Sequence, residues 1–282
     1  MDETRAGRGA PRPDFDTLAD DYARFRTSYS AQLFDAILRF GPTPPGARVL
    51  DLACGTGLGM AEYVRRGYRV TGVDVAPVMM EQARAQLGVG AQARFVEGKA
   101  EALPFADASF DVVSCAQAFH WFEPRAAFGE CARVLRPNGT LAIFWKHAAR
   151  GDQLTRTCEQ IIREWLGDEA AKRSRDHADE HEAGWPVFWE FAAPTGERAG
   201  MRPFVDAHKL VIDFELTRTA VEFVGYQRSR ERIRNVLGDR RADFLAELER
   251  RLALVAHDGS AVRQRQIQYV FLARRAGAIP SS

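Results

Sequence analysis

The stretch Asp51-Leu-Ala-Cys-Gly55-Thr-Gly57-Leu-Gly59 has the residue types of a ligand-binding turn. A short apolar run, 48–52, leads into it and a helical pattern, 58–66, follows it. Glycines on a strand-to-helix turn let the backbone come close to a bound group and leave helix N–H donors facing it. Asp74 ends the next apolar run, 23 residues after Asp51. A carboxylate there can accept both hydroxyls of a ribose. The loop does not fit the dinucleotide fingerprint G-x-G-x-x-G/A, because the third position falls on Met60 or on Glu62. It is no phosphate loop of the form G-x-x-x-x-G-K-[ST] either, and it contains no Lys or Arg. A ligand with adenosine but without phosphates suits this pattern best.

A second group of residues sits at later strand ends. His120 and Trp121 follow the fourth apolar run, and Trp145 and His147 close the fifth. In an open α/β sheet, ligands gather at the carboxyl ends of the strands near the switch point, so these side chains are placed to share one pocket. Bland readings stand beside this one. Trp121 reads as pocket wall or core plug, His147 as pocket wall or solvent-facing cap, and His120 as a base or an orienting group. Cys54 and Cys115 read as small packing residues rather than nucleophiles.

The elements that must carry these residues follow from the periodicity. Apolar positions at helical spacing run through 14–40 and stop at Gly41-Pro-Thr-Pro-Pro-Gly46. Strands are expected at 48–52, 69–73, 93–97, 110–115 and 140–145, with helices at 58–66, 77–87 and 124–134 between them. That alternation implies parallel strands with crossovers on both faces. Helical segments are expected at 152–166 and 168–182, then a strand at 208–216, helix through 217–256 and a final strand at 266–274. The fold class is therefore α/β, a doubly wound, seven-stranded, mostly parallel sheet closed by one antiparallel hairpin, with a helical lid insertion.

Composition bounds the partners. Of 282 residues, 39 are Lys or Arg and 38 are Asp or Glu, a net charge of +1. No overall field favours nucleic acid or an anionic membrane. The Arg-rich stretch 228–251 interleaves Glu and Asp and reads as a solvated face. No stretch of about 18 apolar residues is present to span a membrane. The polar start, Met1 to Phe15, does not read as a secretory signal. The four cysteines, at 54, 115, 131 and 158, form no metal-ligand spacing, so no metal is expected and a reducing cytoplasm is.

The motifs VLDLACGTGLG, VTGVDVAP, EGKAEALPFADASFDVV and VLRPNGTLAIF, in this order and spacing, resemble the class I S-adenosylmethionine (SAM)-dependent methyltransferases over about residues 14–146. The resemblance implies a Rossmann-like methyltransferase fold with SAM as cofactor. It assigns Gly55 and Gly57 to the methionine part of SAM and Asp74, with Val75 beside it, to the ribose. Asp51 would steady the loop and the amino group. The segment containing Ala100 and Glu101 would contact adenine, with Lys99 where the family often has Asp. Cys115 would lie in the wall beside the sulfonium.

The segment AFHWFEP, 118–124, and more weakly FVGYQRSRERI, 223–233, resemble a small-acid branch that includes the trans-aconitate carboxyl methyltransferases. YARFRTSYS, 22–30, looks like a helix that closes over SAM, with Tyr22 and Tyr29 toward the substrate and Arg26 near the methionine carboxylate. Together with the periodicity, this divides the chain into a flexible leader (1–13), a SAM-binding core with an N-terminal helical cap (14–146) and a helical lid insertion (147–207). A sheet-completing part with a helical substrate-side segment (208–275) and a tail (276–282) follow.

The expected activity is methyl transfer to a small-molecule acceptor, foremost O-methylation of a small acid or natural product. His120 would be the base where the acceptor is a phenol or alcohol. Trp121, Trp145 and His147 would form the substrate pocket. N- or C-methylation of a small metabolite, and SAM binding without transfer, are the rival readings.

Overall fold

The computed structural model describes residues 19–88, 92–151, 153–168, 185–197, 200–230, 233, 237–255 and 261–277. The expected leader and most of the helix expected at 168–182 lie outside them. Eight strands form one sheet: β1 Arg48–Leu52, β2 Arg69–Asp74, β3 Ala93–Glu97, β4 Phe110–Ala116, β5 Leu135–Ala148, β6 Ala192–Pro194, β7 Phe204–Thr219 and β8 Ala261–Arg275. Their order is β3-β2-β1-β4-β5-β8-β7-β6. Pairs among β1 to β5 are parallel, and β8 runs antiparallel to both β5 and β7. The α/β, mostly parallel, Rossmann-like architecture is the one expected, with one strand more. The extra strand, β6, is three residues long and pairs parallel with β7, too short to leave an alternating pattern.

The helices are α1 Ala19–Phe25, α2 Ala31–Phe40, α3 Ala61–Arg65, α4 Pro77–Leu87 and α5 Pro124–Val134, then α6 Gln153–Leu166, α7 Pro186–Phe191, α8 Ala220–Arg228 and α9 Arg241–Val255. Their starts follow local chemistry. The Ser30 hydroxyl accepts the Leu33 N–H to open α2, and Pro77 and Pro124 sit where a missing N–H costs nothing. Thr219 and Glu222 close a capping box that ends β7 and opens α8. The long helix expected over 217–256 therefore begins three residues later and is described as α8 and α9.

Two hydrophobic clusters sandwich the sheet. One face carries Leu50, Phe119, Phe128, Trp145, Trp185, Phe188 and Phe271. The other carries Leu33, Phe34, Tyr63, Phe144 and Leu272. Trp185, Phe188 and Phe204 belong to the first cluster, so residues 185–207 include part of the core wall. A third cluster joins α6, α8 and α9 through Leu154, Ile161, Phe223, Phe244 and Leu248. All four cysteines are buried free thiols. No helix among the described residues is long and apolar enough to cross a membrane.

Candidate active site

β1 ends in the turn that the glycines make. Gly55 adopts φ +50°, a conformation open to glycine at little cost, and a Cβ there would lie 3.4 Å from Met79 Cε. The turn is tied to the next strand: Asp74 Oδ2 accepts the Gly55 N–H at 2.8 Å, and Asp74 Oδ1 accepts the Ala76 N–H at 2.9 Å. Asp74 thus sets the loop shape as well as presenting a carboxylate.

A cavity of about 290 Å³ opens at these strand ends, over the β1, β2 and β4 carboxyl termini. Six of the expected residues line it: Tyr22, Gly55, Asp74, Val75, Ala100 and Trp121. Gly98 and Ala116 line it too, within the segments that the resemblance matches to the adenine contact and to the sulfonium wall, and so do Ala53, Met79, Gln117 and Phe122, which the sequence reading did not assign. No Lys or Arg does. Ala53 and Gln117 hold φ of +50° and +62°, left-handed backbone at two wall positions. Strain of this kind collects at ligand sites, and nothing in the residue type reveals it.

Other expected residues are placed elsewhere. Gly57 (φ +83°) faces α4, where a Cβ would meet Ala83 Cβ at 3.0 Å, so it serves helix packing. Cys115 is fully buried behind the wall, and its neighbours Ala116 and Gln117 take the expected position. Glu101 Oε1 accepts the Glu123 N–H at 3.0 Å, tying its loop to the start of α5.

Asp51 lies behind the loop, 1% exposed, and its Oδ2 stands 3.0 Å from where a Cβ on Gly59 would be. Gly59 is therefore the glycine this carboxylate demands. Asp51 Oδ1 and Thr56 Oγ1 are buried without a hydrogen-bond partner among the described residues. Burial pushes the Asp51 carboxyl up to about 7, against the Ser114 hydroxyl and with the Asp74 charge adding.

The aromatic strand-end group separates because β5 continues to Ala148, and alternation sends successive side chains to opposite faces. Trp145 is 1% exposed in the core, against Trp185 and Phe271. His147 lines a different, smaller cavity with Arg150, Arg265 and Tyr269. Lys146, between them, points the other way and stands 4.8 Å from the Tyr29 ring. Tyr29 packs edge-on against Phe144 rather than on the cavity. His120 is exposed beside the cavity, its ring 4.7 Å from Trp121. Trp145 Nε1–H donates to His120 Nδ1 at 3.3 Å. That bond occupies the Nδ1 lone pair, so a neutral His120 carries its proton on Nε2 and offers a donor, not a base.

Arg26 follows α1. Its guanidinium stands over the rings of Tyr22 (4.5 Å) and Tyr226 (5.0 Å), and Nε donates to Ser229 Oγ at 3.0 Å. Asp21 pairs with Arg228 at 2.5 Å, and Gln82 donates to Asp20 at 2.9 Å. Helix α1 therefore bridges α4 and α8.

These features fit SAM. The apolar wall with the Asp74 carboxylate suits an adenosine, a wall without cations suits a ligand without phosphates, and the orphaned, buried Asp51 oxygen suits an ammonium.

Comparisons with known proteins agree with this geometry. Residues 50–143 match a family model described as a methyltransferase domain. An uncharacterized methyltransferase of Mycobacterium bovis is 42% identical over 132 residues, 46% of this chain and 51% of its own length. A demethylmenaquinone methyltransferase of Clavibacter sepedonicus is 35% identical over 134 residues, 46% of this chain and 55% of its own. A malonyl-[acyl-carrier protein] O-methyltransferase of Serratia marcescens is 32% identical over 151 residues, 51% of this chain and 58% of its own. The chain spans about half the length of these curated relatives. In structure, a provisionally assigned type II methyltransferase of Anaeromyxobacter dehalogenans superposes with a TM-score of 0.63 at 22% identity, over 90% of this chain and 99% of that one. That likeness establishes a shared fold. Residues 50–143 of this chain are thus similar to a methyltransferase domain.

Proposed function

We propose that the chain is a SAM-dependent methyltransferase acting on a small molecule, foremost as an O-methyltransferase on a small acid or natural product. The observation that carries this reading is the cavity itself. It lies mostly among the residues that match the methyltransferase-domain model, is walled by Asp74 and apolar groups, and among the described residues has no Lys or Arg on its wall. When bound, SAM supplies an electrophilic methyl group on a sulfonium.

This chain's residues would do the rest. Asp74 would accept the ribose hydroxyls while keeping its loop bonds, and Val75, Gly98 and Ala100 would bound the adenine. Asp51 would take the ammonium. Tyr22 and Trp121 would exclude water from the acceptor side, and ring faces there favour a sulfonium cation. His120, with its proton on Nε2, would orient an acceptor oxygen and not ionise it. A carboxylate acceptor needs no base, since it is already ionised near neutral pH. Catalysis then rests on holding acceptor and methyl group in an attack-ready pose.

The O-methyl reading draws support from the Serratia marcescens relative, itself an O-methyltransferase, and from this placement of His120. The near-neutral charge supports a small-molecule acceptor over nucleic acid, and four free thiols support a cytoplasmic setting.

Incubation of the full chain with methyl-labelled SAM and a panel of acids, phenols and amines, read by mass spectrometry, tests the function. Label transferred to an acid is the expected result. Transfer to amines alone would replace O- with N-methylation, and SAM binding without any transfer would oppose the enzyme reading.

A further inference from the structure

Arg26 stands over Tyr22, a residue of the cavity wall, and Arg218 and Lys146 lie close to Arg26. Arg218, near the end of β7, is 5% exposed, and its Nε and Nη1 have no hydrogen-bond partner among the described residues. Its guanidinium stands 4.8 Å from the centre of the Tyr226 ring. Arg26 stands over that same ring at 5.0 Å, and also over Tyr22, which lines the cavity. Lys146 belongs to the same region. Burial brings its ammonium down to about 7, and the charges of Arg218 and Arg26 push in the same direction. Tyr226 reports the field independently. Burial would raise its phenol, yet Arg230, Arg26 and Arg218 together hold it below its ordinary value.

Among the described residues no carboxylate pairs with Arg26, Lys146 or Arg218. Asp21 pairs with Arg228, and Glu222 accepts the Thr219 N–H while its charge also acts on Arg218 without pairing with it. Contact with aromatic faces offsets part of the cost of burying a guanidinium but leaves its N–H edges unsatisfied. Such an edge, kept buried one aromatic ring away from an arginine that stands over the cavity's Tyr22, is complementary to an oxyanion that arrives with the ligand. Arg is suited to this, because its fork matches carboxylate and phosphate oxygens.

We infer that an oxyanion group of the methyl acceptor, a carboxylate or a phosphate on a small molecule, seats on Arg218 with Arg26 beside it. The assignment rests on the methyltransferase reading above. It narrows the acceptor to an anionic compound whose reacting atom reaches the cavity while its charged group stays on the Tyr226 side.

The test is calorimetry on the full chain with four probes: succinate, citrate, benzoate and inorganic phosphate. SAM is titrated separately. At least one probe should bind saturably, one per chain, and bind at least tenfold more weakly to Arg218→Gln. Arg218→Lys should recover part of that loss, and SAM affinity should stay within twofold in both variants. Carboxylate and phosphate arms distinguish the two sources of the oxyanion. If Arg218→Gln fails to fold by circular dichroism, Arg26→Gln, at a half-buried position, should show the same loss of probe binding. The inference is overturned if no probe binds the parent, if the variant binds the probes as well as the parent does, or if the substitution weakens SAM instead. A parent that binds a probe through Arg218 but binds no SAM would overturn the methyltransferase reading, and with it the acceptor assignment, while leaving an anion site in place.

Discussion

A buried carboxyl, Asp51, and an exposed imidazole, His120, carry the predictions at the scale of single residues. Asp51 is held protonated up to about pH 7 by burial, with an oxygen that lacks a partner. If it takes the SAM ammonium, it must ionise on binding. Below its folded pKa each binding event then releases a proton, and SAM affinity should fall about tenfold per pH unit below pH 6. Calorimetry in two buffers of different ionisation enthalpy reads that proton directly, and Asp51→Asn should abolish it. The same shift acts on stability. The folded pKa lies above the unfolded one, so the folded chain binds more protons between about pH 4 and pH 7 and loses stability as pH rises through that window. Asp51→Asn should be free of that loss, which melting curves at pH 5 and pH 8 would show. His120 gives the second residue-scale prediction. With Trp145 on Nδ1, a carboxylate acceptor should, at saturating SAM, give a pH–rate profile flat from about pH 5.5 to 8. Gln at position 120, which keeps a donor, should retain more rate than Ala. A parent rate that rises through about pH 6.5, with a flat His120→Ala, would restore the base role.

At the scale of elements, α1 is the piece whose docking joins the two halves of the site. Phe25 sits against Gly225 of α8, where a Cβ would approach the ring to 2.4 Å. Gly225→Ala must displace that buried ring, at an expected cost of about 1–3 kcal/mol for overpacking. Because α1 carries Tyr22 into the cavity, the substitution should weaken SAM binding as well as lower the melting temperature. A stability loss with unchanged SAM affinity would separate α1 from the site. Past α1, Lys146 Nζ donates to Thr27 O at 2.5 Å and to Ser28 O at 3.1 Å, pinning the segment to β5. Lys146→Met should speed hydrogen exchange across residues 26–30, and exchange should slow there when SAM saturates the parent.

At the scale of the whole molecule, the sheet was readable and the far wall of the site was not. Strands β1 to β4 sit within a residue of their expected positions, because buried parallel strands are continuous apolar runs between glycine- and proline-rich turns. Asp74 and Gly55 were legible for the same reason, since a strand end and its turn place them together. Trp145 and His147 were not, because the expected end of β5 fell before the strand actually stops, and alternation then turned both away from the cavity. Gln117 and Ala53 needed backbone angles that no residue type announces. Arg218 lies 192 residues from Arg26, and only the antiparallel return of β7 beside β8 brings them to one ring. Composition, near neutral overall, hid a local cluster of like charge.

The central claim is that this cavity holds SAM through Asp74, and a calorimetric titration of the full chain tests it most directly. SAM should bind saturably at one site per chain, and NAD, whose pyrophosphate finds no Lys or Arg on the cavity wall among the described residues, should not bind. Asp74→Ala removes the expected ribose contacts and the two loop bonds. It should weaken SAM by about 1.5–3 kcal/mol, roughly 10- to 150-fold. Asp74→Asn, which keeps one acceptor for the loop, should lose less. No heat with SAM, or equal SAM affinity in parent and Asp74→Ala, would contradict the account.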